Sequence, residues 1–234
     1  METEETPAQG WEYPSTLPES YQGFSLQREN QWEGLIYRIF SYQDEEKRRS
    51  ASVVYDKNTQ EYMLRVKIGL TEFCDVHFIH DDLKAFEAIL GLALLTRLET
   101  LRQCVPERME SLFRDKKILE WASEFEFPAQ INGFEMFLSP QTCFQFTNGS
   151  YLILDYSDFT QDSSLRFYYN VFRDDFFAEY LVLGAPQATQ RFDVKTIPEL
   201  AALITRDLND ATLDLRSRID AVKTLRSRTF ARND

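Results

Sequence analysis

Histidine, cysteine and glycine are scarce in these 234 residues: two, three and eight. The shortage of glycine is functional information, because no G-x-G-x-x-G, P-loop or G-x-S-x-G element can be assembled from the positions present. With only His77 and His80, a Ser-His-Asp or Cys-His centre would have to use one of them. The cysteines, Cys74, Cys104 and Cys143, are odd in number and show no C-x-x-C spacing, which points to a reducing compartment and places the protein in the cytoplasm. No uninterrupted apolar run reaches the eighteen or so residues of a membrane span, and the N-terminus lacks a basic start followed by an apolar stretch. Basic residues are outnumbered 26 to 38, so the net charge of −12 repels phosphate backbones and disfavours nucleic acid.

What is present is apolar and aromatic. Hydrophobic residues make up 43% of the chain and aromatics 14%, enough for a sizeable core and too much for general disorder. Residues 1–31 carry six glutamates against one arginine and are broken by Pro7, Pro14 and Pro18, so they read as an acidic extended leader pinned by Trp11, Tyr13, Tyr21 and Phe24. Period-two alternation starts at Gly34 and continues through Leu35–Phe40, Ser50–Tyr55, Tyr62–Ile68 and Glu72–Ile79. Asp81 or Asp82 then caps a helix with the stripe Leu83, Phe86, Leu90, Leu94 and Leu101, and Ala85–Leu95 reads as its buried part. Pro106 opens a connector helix over about 107–123.

The pattern then repeats. Strands are expected at Phe134–Leu138, at Thr142–Phe146 paired with Ser150–Tyr156 across Asn148-Gly149, at Leu165–Phe172, at Phe176–Leu183 and at Arg191–Val194. Thr196-Ile197-Pro198-Glu199 is a capping box with proline in the first turn. Leu200, Ile204, Leu208, Ala211, Leu215, Ile219 and Val222 follow it at spacings of three and four. The fold class is therefore α+β: two related units of antiparallel β-meander plus long helix, a pseudo-repeat joined by a connector helix, with a leader over 1–31 and units over 32–127 and 128–234. A helix of about 30 residues is about 45 Å long, more than one small sheet needs, so Leu215, Ile219 and Val222 are expected to meet either the other half of the chain or a partner, such as the same helix of a second subunit.

Three clusters could carry chemistry. Asp75, His77, His80 and Asp82 fall in one nine-residue segment with Cys74 and hold the common metal-ligand types, although on a strand only Asp75 and His77 share a face. Asp175, Asp193 and Lys195 offer two carboxylates and a lysine, the set a metal-dependent nuclease uses. Fourteen aromatics lie between Phe134 and Tyr180, and Tyr156, Tyr168 and Phe172 are placed on the face away from the core, open to a partner. The basic C-terminal run (Arg216, Arg218, Lys223, Arg226, Arg228, Arg232) reads as complementing the helix dipole.

The doubled arrangement of strands and helix is similar in topology to the Whirly and PUR families, whose repeated four-strand-and-helix unit binds single-stranded nucleic acid. No residue motif accompanies that likeness, and the charge departs from it. The charge and the long helix also resemble small acidic secretion chaperones, α+β proteins that often dimerise and bind extended client segments. The sequence thus points to a non-catalytic binding or assembly protein with a protein or peptide partner and no cofactor. The alternatives are a single-strand binder using Arg48, Arg49, Arg65 and Lys67, and a metal-dependent hydrolase.

Overall fold

The computed structural model describes residues 7–103, 109–146 and 149–230, with the side chains of 228–230 excepted. It is α+β, and the chain divides into two units, the first ending at Gln103 and the second starting at Cys104. That division precedes the boundary at residue 128 suggested by composition, because Met109, Phe113, Ile118 and Trp121 enter the core of the second unit.

In the first unit a short helix α1 (Tyr13–Thr16) leads into six strands in sequential antiparallel order: β1 (Ser20–Tyr21), β2 (Phe24–Glu33), β3 (Ile36–Asp44), β4 (Arg49–Asp56), β5 (Glu61–Ile68) and β6 (Thr71–His80). Residues 20–33 therefore belong to the sheet and not to a leader. Their turn is made by Gln22 and Gly23, both at positive φ, as a two-residue hairpin requires. The segment ahead of them is pinned as its aromatics suggest. Trp11 stacks on Tyr13 and donates from Nε1 to Glu87 at 2.5 Å, while the Tyr62 hydroxyl donates to the Pro7 carbonyl at 2.7 Å.

Helix α2 (Leu83–Arg102) lies on β5 and β6. Phe86, Leu90, Leu94, Leu98 and Leu101 point inward, with Phe86 stacked on Tyr62 at 5.8 Å. Asp82 caps it by accepting from Ala85 N at 2.8 Å. At the other end Arg49 Nη1 donates to the carbonyls of Leu101 (2.5 Å) and Arg102 (2.7 Å), placing a cation where the dipole is negative.

In the second unit the segment read as one connector helix is two short ones, α3 (Ser111–Asp115) and α4 (Ile118–Glu124), broken where Lys117 takes φ +57°. Residues 107 and 108, where that helix was to begin, lie outside the described residues. The sheet runs β13-β12-β11-β10-β8-β7: β7 (Gln130–Ile131), β8 (Phe134–Leu138), β10 (Ser150–Asp158), β11 (Ser163–Asn170), β12 (Asp175–Val182) and β13 (Ala185–Val194). The two-residue β9 (Phe144–Gln145) pairs with β10, after a 3₁₀ turn at Pro140–Thr142 that occupies the start of the expected strand. The turn residues 147 and 148 are outside the described set.

Helix α5 (Ile197–Phe230) covers this sheet. The capping box forms as its residues require: Glu199 N donates to Thr196 Oγ1 at 3.4 Å, and Thr196 N to Glu199 Oε2 at 3.1 Å. Leu200, Ile204, Leu208, Ala211, Leu215 and Ile219 all enter the unit's own core, and Val222 packs at its margin. No described helix is long and apolar enough to cross a membrane.

Candidate functional site

The structure brings Asp75 and His77 of the candidate metal cluster together and commits His80 and Asp82 to other contacts. Asp75 is buried and spoken for: Arg97 Nε lies 2.9 Å from one oxygen and His77 Nδ1 3.1 Å from the other. Burial pulls the Arg97 guanidinium below its ordinary value, and the Asp75 carboxylate opposes that pull. His80 Nδ1 accepts from Asp82 N at 2.9 Å, and the Asp82 carboxylate caps α2. Cys74 points to the other face of β6, with Sγ 3.4 Å from Met63 Sδ, so it does not pair with His77. Among the described residues no three His, Cys, Asp or Glu side chains converge to hold a metal.

Asp175 and Asp193 do come together at the end of the second sheet. Burial, then the neighbouring Asp175 charge, raises the Asp193 carboxyl above its ordinary value. Arg173 binds Asp175 at 3.0 Å, and Lys116 Nζ donates to the Lys195 carbonyl at 3.0 Å. The cations named for phosphate contact are partly committed elsewhere. Arg49 caps α2, and Arg65 lies between Asp56 (4.0 Å) and Glu72 (3.8 Å).

The aromatic face also changes. Tyr156 is not exposed: it is fully buried in the core beside α5, and its hydroxyl donates to the Pro128 carbonyl at 3.0 Å. A bulge at Ile153, between the pairs Leu152↔Tyr168 and Leu154↔Phe167, inverts the alternation along β10 and brings Tyr156 inward. The same inversion places Asp155 on the opposite face, fully buried, where Oδ1 accepts from Ser157 at 2.7 Å and Oδ2 has no hydrogen-bond partner. Burial pushes its carboxyl up to about 6, against the pull of Ser157 and Arg166. Tyr168 is 7% exposed and stacked on Phe177 at 5.0 Å, which leaves Phe172, 79% exposed, as the open ring of the three. Leu215 and Ile219, expected at a partner surface, are 0% and 1% exposed within the second unit.

The surface that stands out is the outer side of α2. Its middle, residues 88–95, is apolar on every side, and a helix lying on one sheet buries only one of them. Leu92 is 87% exposed at mid-helix, among exposed Ala88, Gly91 and Thr96 and half-buried Ile89 and Leu95. The expectation that Ala85–Leu95 forms the buried part of a helix therefore holds for Phe86, Leu90 and Leu94 only. Gly91 costs the helix about 1 kcal/mol relative to alanine, yet a Cβ there would meet no atom within 4 Å, so the fold of this chain does not ask for it. Charge brackets the patch: Asp81 and Lys84 at the N-terminal end, Glu99 and Arg102 at the C-terminal end. The sequence signal for this face is the unbroken AILGLALL run, in which no polar residue marks an outer side.

Comparison with known proteins adds no relative. No protein-family model, curated protein or solved structure matches the chain.

Proposed function

We propose that the chain is a tandem of two copies of one sheet-and-helix module, and that it is a non-catalytic binding or assembly protein recognising a protein or peptide partner through the outer face of α2. The tandem reading is supported by register. β4, β5, β6 and α2 open at Arg49, Glu61, Thr71 and Leu83, and β11, β12, β13 and α5 each open 114 positions later. Individual contacts correspond too, at 114 positions from β3 and β10 onward and at 110 positions around the short strands β1 and β7. Ile39 occupies a bulge in β3 as Ile153 does in β10. The Tyr42 hydroxyl donates to the Pro18 carbonyl as Tyr156 does to Pro128. Arg102 on α2 bonds Gln22 in the β1–β2 turn, and Arg216 on α5 bonds Asn132 in the β7–β8 turn.

The observation that carries the functional reading is the exposed Leu92 and its setting. The equivalent positions of α5 are Thr205 for Gly91, Arg206 for Leu92, Asn209 for Leu95 and Asp210 for Thr96. One architecture thus carries a polar outer helix face in one unit and an apolar one in the other, so stability of the module does not account for Leu92. Exposed apolar residues grouped in this way mark an interaction surface. The net charge of −12 favours a protein partner over a polyanion. The odd cysteine count without C-x-x-C spacing supports a cytoplasmic setting.

A photo-crosslinking residue in place of Leu92, compared with the same residue in place of Arg206, tests the reading in the cells that make the protein. A protein adduct is expected at position 92 and none at 206; no adduct at position 92 rules it out.

A further inference from the structure

We propose that the partner seated on the outer face of α2 is a second copy of this chain, and that the two α2 helices pack antiparallel about a two-fold axis at Leu92. This rests on reading that face as a protein contact and names its occupant.

The face is complementary to itself in shape. A two-fold axis at Leu92 sets each Leu92 on the other and brings Ala88 of each copy beside Leu95 of the other, small against large. Gly91, whose missing side chain the chain's own fold does not use, lets the two backbones approach at the centre. A closed pair of this kind buries the same patch on both copies and leaves no open end for further growth.

The face is also complementary to itself in charge, and this fixes the direction. Antiparallel packing brings Lys84 of each copy to Glu99 of the other, and Asp81 to Arg102, with the helix dipoles opposed. A parallel pair would instead set Lys84 beside Lys84 and Glu99 beside Glu99. Tyr21 holds Glu99 at 2.7 Å and Gln22 holds Arg102, so the two charges at the C-terminal end are oriented before association. The equivalent of Leu92 on α5 is Arg206, which pairs with its own neighbour Asp207 at 2.7 Å, so α5 offers no second site of the same kind.

Sedimentation velocity on the purified full chain, from about 1 to about 100 µM, tests the inference. A dimer is expected, and Leu92→Arg, which copies the α5 residue, should raise its dissociation constant at least about 100-fold with no change in the unfolding midpoint of the monomer. Lys84→Glu should weaken the dimer, and Lys84→Glu with Glu99→Lys should recover most of the loss, as only the antiparallel pairing allows. A monomer throughout the range overturns the inference, and so does a dimer indifferent to Leu92→Arg. A monomeric chain that still gives a crosslinked adduct at position 92 would assign the face to a different protein, so self-association fails there while recognition through α2 survives.

Discussion

The guanidinium of Arg216 lies 3.9 Å from the centre of the Phe134 ring, and it occupies the space that a side chain at Gly133 would need. From there Nε donates to the Asn132 carbonyl at 2.8 Å and Nη1 to Asp158 at 2.5 Å, so one arginine fastens the β7–β8 turn and the end of β10 to α5. A Cβ at Gly133 would fall 2.7 Å from Nη2, on a backbone at φ +78° that already disfavours any side chain. Gly133→Ala should therefore cost about 2–3 kcal/mol, against about 1 kcal/mol for Gly23→Ala, where φ is +90° but the nearest atom is 4.0 Å away. Denaturant melts check this. In an Arg216→Ala background the two glycine substitutions should cost about the same, because the clash is gone and only the backbone term remains.

Asp155 gives the protein an unusual pH dependence. Its carboxyl sits at about 6 when folded against 3.8 ordinarily, so between those values the folded chain holds a proton that the unfolded chain releases. The group's contribution to stability is greatest below pH 3.8 and is lost as pH rises through about 6, a total of about 3 kcal/mol. Asp158 and Asp174, whose carboxyls are held below their ordinary values, act in the opposite direction and cancel when a variant is compared with the parent. Asp155→Asn should therefore be more stable than the parent at pH 7.5, with the advantage vanishing towards pH 4. A difference that stays flat across that range would show that Asp155 ionises freely in the fold.

The equivalent tyrosines offer a test of the tandem reading. Tyr42 and Tyr156 reach prolines that stand two residues ahead of the short strands β1 and β7, with bonds of 2.8 and 3.0 Å. Either Tyr→Phe change removes one buried hydrogen bond at about 1 kcal/mol. Amide exchange should quicken at residues 20–24 in Tyr42→Phe and at 130–134 in Tyr156→Phe, by similar factors and without crossover. Unequal losses would mean that the two bonds do different jobs.

Much of this architecture is written in period and capping. Thr196 and Glu199 fix the start of α5, Asp82 that of α2, and the alternation at Tyr62, Leu64, Val66 and Ile68 fixes which side of β5 faces the helix. What alternation does not carry is a bulge. One extra residue at Ile153 turns Tyr156 inward and Asp155 away from the helix-covered core, and neither residue signals it. The prolines before Ser20 concealed β1, because the strand needs only two residues once Gln22 and Gly23 supply the turn. The α2 face stayed hidden for a different reason: a stretch apolar all round, as residues 88–95 are, has no polar side from which to infer an outer one.

The length of α5 leads to the last prediction. Thirty-four residues span about 51 Å, and among the described side chains Ile219 is the last of them in the core, with Val222 half-buried beyond it. A chain ending at Lys223 keeps every buried residue of the stripe among the described residues and should unfold at the denaturant concentration of the full protein. Ending at Asp210 removes Ala211, Leu215 and Ile219, each at most 1% exposed, together with Arg216 and its hold on the β7–β8 turn. Loss of two large apolar side chains at about 2–5 kcal/mol each consumes most of the 5–15 kcal/mol a domain has. The second unit should then melt or fail to fold while the first keeps its own transition. Should the Asp210 truncation fold as the parent does, Leu215 and Ile219 would be surface residues, free for the intermolecular role their spacing first suggested.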